Sequence, residues 1–436
     1  MKNAMRMSSA DAQQKTHAHL QSVYSTIYPI KMKNQFLKLV TFCFVLLSSM
    51  LATSCREDEL LSEGLITEKS LDSTRSAKFG VPTKFDQHEF ALKIETYMEP
   101  LVAGFGYTIY NDGVPYYATN GGDGFARKHV DTPMMLHSAI AKQEISTVTQ
   151  YVTAVAMLHA LQKYNVPINA AVWPYLPKYW TISKDFKAVT FERLLAHRSG
   201  LIDYHDYKKL SLTVGGVLDK NAFDKNERVN SDVNYLLLGV ILPYLEAKKL
   251  AAQGNTTKLN KLESVNNNFI EYGEQYRAYV RSNVFKAAGL ANSSVIDWRG
   301  WNENGTILSS AANMGYPTKN GSEPGLPKEL HLVDCGVTGL YMSAEQFAKF
   351  QSAVAQFRVI SFDNLNLMKS KMLGFDGSIA GNKSIYYWKK GSENNSEAMI
   401  MDFGKVQVAV FATSTHSQIT DPKILAQFYD ASFKNL

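Results

Sequence analysis

Thr153-Ala-Val-Ala-Met-Leu-His-Ala-Leu-Gln-Lys-Tyr-Asn-Val-Pro-Ile-Asn169, followed by Tyr175-Leu-Pro177 and Leu194-Leu-Ala-His-Arg-Ser-Gly-Leu201, decides how this chain folds. Just upstream and through it, Ile145, Val148, Val152, Val155, Leu158 and Leu161 recur every three or four positions, the spacing that gives a helix one apolar face. Pro167 and the Pro174/Pro177 pair end the segment. Tyr235-Leu-Leu-Leu-Gly-Val-Ile-Leu242 reads as a second, buried helix, and the Lys/Asn/Thr-rich stretch 250–268 as a solvated excursion between helices.

Strand signals flank this helical middle. Phe105 to Thr119 reads as two strands about an Asn111-Asp-Gly113 turn, where glycine supplies the positive φ a tight hairpin demands. Ser384-Ile-Tyr-Tyr-Trp388, Glu397 to Asp402 and Val406 to Ala412 are strand-like and separated by turns, and a last helix is expected over 421–436. The pattern predicts an α+β domain (an α/β sandwich). One antiparallel sheet, flanked by helices, forms from both chain ends, and an all-helical subdomain is inserted between them. The sheet parts fall at about 100–122 and 380–436, and the mostly helical part at about 123–350.

The formal charge of +6 is concentrated at the start. Residues 1–55 hold six basic side chains against Asp11, +5, which leaves +1 for the rest and gives no footprint for nucleic acid. Lys31, Lys33 and Lys38 precede the apolar run Leu39–Leu47 and then Leu51-Ala-Thr-Ser-Cys55. A basic start, a short apolar core and small residues before a cut site make a secretory signal. Ending at Ser-Cys, it resembles a bacterial lipoprotein signal, with Cys55 as the lipidated first residue. Residues 1–55 are therefore expected to be the signal region, the polar stretch 56–82 a tether, and 83–436 the folded domain. The expected location is extracytoplasmic, lipid-anchored to an outer membrane or cell surface. Cys335, in an apolar context, is expected to be a small core residue.

The opening stretches, with Phe191 to Gly200, Val284-Phe-Lys-Ala-Ala-Gly-Leu-Ala-Asn-Ser-Ser294 and Gly339-Leu-Tyr-Met-Ser-Ala-Glu-Gln-Phe347, resemble in type and order the serine β-lactamase and penicillin-binding-protein family, especially its class C and esterase-like branch. The likeness runs from near residue 100 to the end. It implies three elements around one cleft. The first is Ser-x-x-Lys at a helix start, where the Lys one turn on takes the Ser proton. Counting back from Thr153, those positions hold Thr147 and Gln150. A second register places the nucleophile at Ser138, after a strand-like Asp131-Thr-Pro-Met-Met-Leu-His137, with Lys142 as its helical i+4 neighbour. The second element, Tyr-x-Asn, falls on Asn230-Ser-Asp232, which lacks a titrating Tyr and carries a carboxylate in place of the amide; the same three residues suit a helix cap. The third, Lys/His-x-Gly, is retained as Lys389-Lys-Gly391.

The resemblance therefore implies a small peptide, ester or peptidoglycan-like ligand, with a terminal carboxylate held near Lys389 and turnover weakened or lost. Two alternatives stay open: an active serine hydrolase (esterase, D-aminopeptidase or weak β-lactamase) on Ser138 and Lys142, and a structural surface lipoprotein whose protein partner docks on 250–268. No cofactor is implied. His137, His159 and His197 lack paired spacing for a metal.

Overall fold

The computed structural model describes residues 83–116, 121–204, 206–290, 296–298, 313–327 and 331–435, with only the backbone of His416. Cys55, the expected signal region and the tether lie outside these residues.

In chain order, a short strand β1 (Thr83–Phe85) and helix α1 (Gln87–Met98) precede the hairpin strands β2 (Gly104–Asn111) and β3 (Val114–Tyr116). The turn between them is Asp112-Gly113, with φ of 48° and 83°, as a two-residue hairpin loop requires. Strands β4 (Gly122–Arg127), β5 (Met135–Leu136) and β6 (Lys142–Glu144) lead into the central helix α2 (Thr149–Lys163). Helices α3 (Val233–Ala252) and α4 (Phe269–Tyr279) pack beside it, and the excursion between them carries a short helix at Thr257–Leu262 whose last side chain is buried. After β7 (Tyr341–Ser343), helix α5 (Ala344–Ala355) opens with Ser343 and Gln346 capping each other reciprocally. Strands β8 (Gly377–Ala380), β9 (Ile385–Glu393), β10 (Ser396–Asp402) and β11 (Val406–Ala412) follow. Helix α6 (Pro422–Asp430) stops short of the expected end, because Phe433–Asn435 forms a strand, β12, paired with β1.

The main sheet is antiparallel, in the order β5-β4-β2-β11-β10-β9-β8, with β3 on β2. Both chain ends contribute to it, as the sequence predicts. Its middle strands are buried on both faces, which is why Val406 to Ala412 is apolar apart from Gln407 and shows no alternation. Ala398, Ile400, Ala409 and Phe411 face α2 and α5, whereas Met399, Met401, Val408 and Val410 face α1 and α6. Each fully buried Val or Phe of this kind contributes about 1.5–3 kcal/mol.

Helix α2 is buried more completely than its periodicity suggests. Thr149, Gln150, Thr153 and Ala156 are enclosed along with the apolar stripe, so the helix runs through the core. Thr153 is accommodated because its hydroxyl donates to Gly336 O at 2.7 Å. Cys335 is buried, and burial raises its thiol pKa, as a core cysteine requires.

Candidate active-site cleft

The start of α2, the loop before α3 and strand β9 converge on a cleft of about 190 Å³. Thr147, Gln150, Asn230, Asp232, Lys389 and Gly391 all line it, together with Asp376, Lys390, Ser392 and Thr420.

Thr147 stands in the 3₁₀ turn Ser146–Val148 that leads into α2. Ser146 adopts φ 48°, and its N–H donates to the buried carboxylate of Glu144 at 2.7 Å; the same oxygen accepts from Gly339 N at 2.9 Å. Glu144 therefore fixes the turn that presents Thr147. Gly391 lets β9 approach that turn. A Cβ there would lie 2.5 Å from Ile145 O and 3.1 Å from Thr147 N, closer than a side chain tolerates. Across this contact the Thr147 hydroxyl donates to Lys390 O at 3.0 Å.

Gln150 is buried one helical turn on, at the centre of a chain of hydrogen bonds. Its Oε1 accepts from Lys389 Nζ at 2.9 Å, and its Nε2 donates to Asp232 Oδ1 at 2.9 Å. Lys389, only 2% exposed, also donates to Asp376 Oδ1 at 2.7 Å. Asp376 Oδ2 accepts the Lys390 N–H at 3.1 Å. Burial pulls the Lys389 ammonium pKa down, Asp376 opposes that, and nearby Arg228 and Asp232 act in opposite directions. Lys389 thus reaches the cleft, yet its ammonium is committed to Asp376 and Gln150.

Asp232 occupies the N-cap position of α3 without capping it. Asp203 takes that role, accepting from Val233 N at 3.1 Å and Ser231 Oγ at 2.8 Å, which leaves Asp232 to reach Gln150. His197, in the Leu-Ala-His-Arg-Ser-Gly turn, holds the same loop. It is buried at φ 56°, its carbonyl accepts Val229 N at 2.8 Å, and its Nδ1 lies 3.1 Å from Ser231 O. Burial, with the Lys389 and Arg228 charges, depresses its pKa to about 3, so the ring is a neutral spacer. Asn230 is exposed at the cleft and makes no hydrogen bond to the described residues.

Ser138 and Lys142 are elsewhere. The helix that would make them i,i+4 neighbours does not form. Ser138 sits in a turn, its carbonyl accepting Ala141 N at 3.1 Å, and Lys142 opens strand β6 opposite Ser343. Neither lines the cleft. Of the two registers, the cleft assembles Thr147 and Gln150. Sequence reasoning missed Asp376, Asp203 and Glu144. The one available signal was a charge inventory, since Gln150 removes a cation and Asp232 adds an anion beside Lys389.

Solved structures share this fold. FmtA from Staphylococcus aureus superposes with a TM-score of 0.56 over 81% of this chain and 90% of its own, at 14% identity. A D-stereospecific amidohydrolase from Streptomyces sp. gives 0.54 over 78% and 97%, at 13% identity. A penicillin-binding protein from Bacillus halodurans gives 0.53 over 78% and 99%, at 15% identity. No protein-family profile and no curated protein sequence matches the chain. The fold is that of the β-lactamase- and transpeptidase-like serine hydrolases, and at these identities the likeness is one of fold alone.

Proposed function

We propose that this protein uses a serine-hydrolase cleft to bind a peptide- or ester-like ligand without acylating. The observation that carries this reading is the closed chain Asp376–Lys389–Gln150–Asp232. A general base must accept a proton from the nucleophile, and Gln150 and Asn230 do not titrate. The Thr147 hydroxyl is aimed at a backbone carbonyl, which cannot take that proton. Losing one member of such a catalytic unit costs up to about 10⁶-fold in kcat.

The ion pair also revises the expected ligand. With Lys389 already facing Asp376, a terminal carboxylate finds no unpaired ammonium at Lys389 itself, and Lys390 on the cleft wall is exposed to water. A neutral amide or ester group suits the unused polar atoms of Asn230 better. Calorimetric titration with a short peptide amide and its free-acid twin tests this. Both are expected to bind comparably, with Asn230→Ala weakening each and leaving stability within about 0.5 kcal/mol. Tenfold tighter binding of the acid would return Lys389 to a carboxylate-holding role, and binding of neither would sink the binding reading.

We further propose that the chain is exported and anchored through lipidated Cys55, which rests on residues 31–55 alone. Cys55→Ala should release the protein from the membrane fraction; unchanged retention would refute the anchor.

A further inference from the structure

Beside the cleft, on the opposite face of the sheet, lies an open groove of about 500 Å³ lined by Lys390, Glu397, Thr415, Gln418, Thr420 and Asp421, with Pro422 at its end. Lys390 and Thr420 border both spaces. Strand alternation explains the arrangement. Glu397 shares its face of β10 with Met399 and Met401, which pack toward α1 and α6, while Ala398 and Ile400 face α2.

Glu397 is the unusual member. It is 4% exposed and lines the groove, and it has no ion-pair partner among the described residues. Its Oε2 accepts the Ser417 hydroxyl, which in turn accepts Ile419 N at 3.0 Å, and Tyr97 of α1 donates to Ser417 O at 2.6 Å. This scaffold holds the carboxyl group in place without neutralising it. Among the described residues, opposing charge comes from the exposed Lys390, whose Nζ lies 5.8 Å from the Trp388 ring, and Asp421 adds a second carboxylate at the rim. A buried carboxylate without a cation is costly, and a ligand that supplies one recovers that cost.

We propose that this groove is a binding site for a primary ammonium group, such as a peptide's free N-terminus or an alkylamine side chain, with Glu397 as its anionic anchor and Asp421 and the Thr/Gln side chains as secondary acceptors. The site is independent of whether Thr147 acylates. Burial raises the Glu397 pKa to about 7, with Ile419 N–H and Lys390 opposing, so affinity for a cation rises as the pH is taken from 6 to 8. Among the described residues, Lys390 of β9, Tyr97 of α1 and Ser417 of the loop before α6 face Glu397, and Asp421 lines the same groove.

The test is saturation-transfer NMR on the intact domain with butylammonium, glycylglycinamide and N-acetylglycylglycinamide. The first two should bind and the acetylated peptide should not. Glu397→Gln, whose amide oxygen still accepts from Ser417, should weaken binding by about tenfold or more. Lys390→Met should strengthen it about threefold by removing the competing cation. Binding of butylammonium but not glycylglycinamide would assign the site to side-chain amines, and the reverse to peptide N-termini; either supports the proposal. Equal binding of the acetylated peptide, no binding of either amine, or an unchanged affinity in Glu397→Gln would overturn it.

Discussion

Replacing Asp376 by Asn is the perturbation the cleft geometry makes most informative. Asp376 accepts from Lys389 Nζ at 2.7 Å, with side chains 13% and 2% exposed, so the pair is shielded from water and salt. The substitution keeps the shape and removes the only carboxylate among the described residues in salt-bridge contact with that ammonium. Breaking a buried pair from one side costs about 3–5 kcal/mol, against about 0–1 kcal/mol for an exposed pair. For a domain of this size that lowers Tm by about 4–7 °C. The pH dependence has a definite sign. Burial already depresses the Lys389 pKa in the folded state, and losing Asp376 depresses it further. The penalty is therefore largest at low pH and shrinks as rising pH lets Lys389 lose its proton. Urea denaturation of wild type, Asp376→Asn, Lys389→Met and the double variant from pH 6 to 9 measures all of this. The double variant should recover most of the loss. A single-variant cost under about 1 kcal/mol, or strict additivity, would refute the claim that this pair organises the cleft.

Gly391→Ala should destabilise by about 1–3 kcal/mol and shift Thr147, since its Cβ would meet Ile145 O at 2.5 Å; denaturation and a structure of the variant check both effects. His331 should make stability fall at alkaline pH. Burial works against its charge, but Asp334 at 2.8 Å, with Glu144 and Glu393, raises its pKa from 6.5 to about 9. Its contribution, about 3 kcal/mol at most, is complete below pH 6.5 and is lost as pH rises through 9. His331→Gln should flatten that part of the stability profile, and an unchanged profile would exclude His331 as its source.

The parts of this molecule that local physics determines were readable from its sequence. The Asn111-Asp-Gly113 turn needed two positive φ angles, α2 needed its apolar spacing, and Gly391 followed a lysine on a strand. The Ser138–Lys142 register failed because Lys142-Gln-Glu144 has a polar composition that does not resemble a strand. It becomes one through tertiary pairing with Tyr341–Ser343, and Gln143 is buried because its amide donates to Glu397 O and Ala412 O at 2.9 and 3.0 Å. The site's charge balance was equally hidden. Asp376 sits in the turn before β8 with no periodic signal to tie it to Lys389. Asp203 caps α3 from a distant loop, which frees Asp232 for a role that a local capping rule would deny it.

Acylation reports directly on whether the cleft still moves a proton from Thr147. The folded domain, from about residue 80, would be incubated with a fluorophosphonate and separately with a penicillin, and its intact mass measured. The closed chain through Gln150 predicts an unchanged mass from pH 6 to 9. A stoichiometric adduct on Thr147, lost in Thr147→Ala, would show that the cleft still handles protons and would contradict the account.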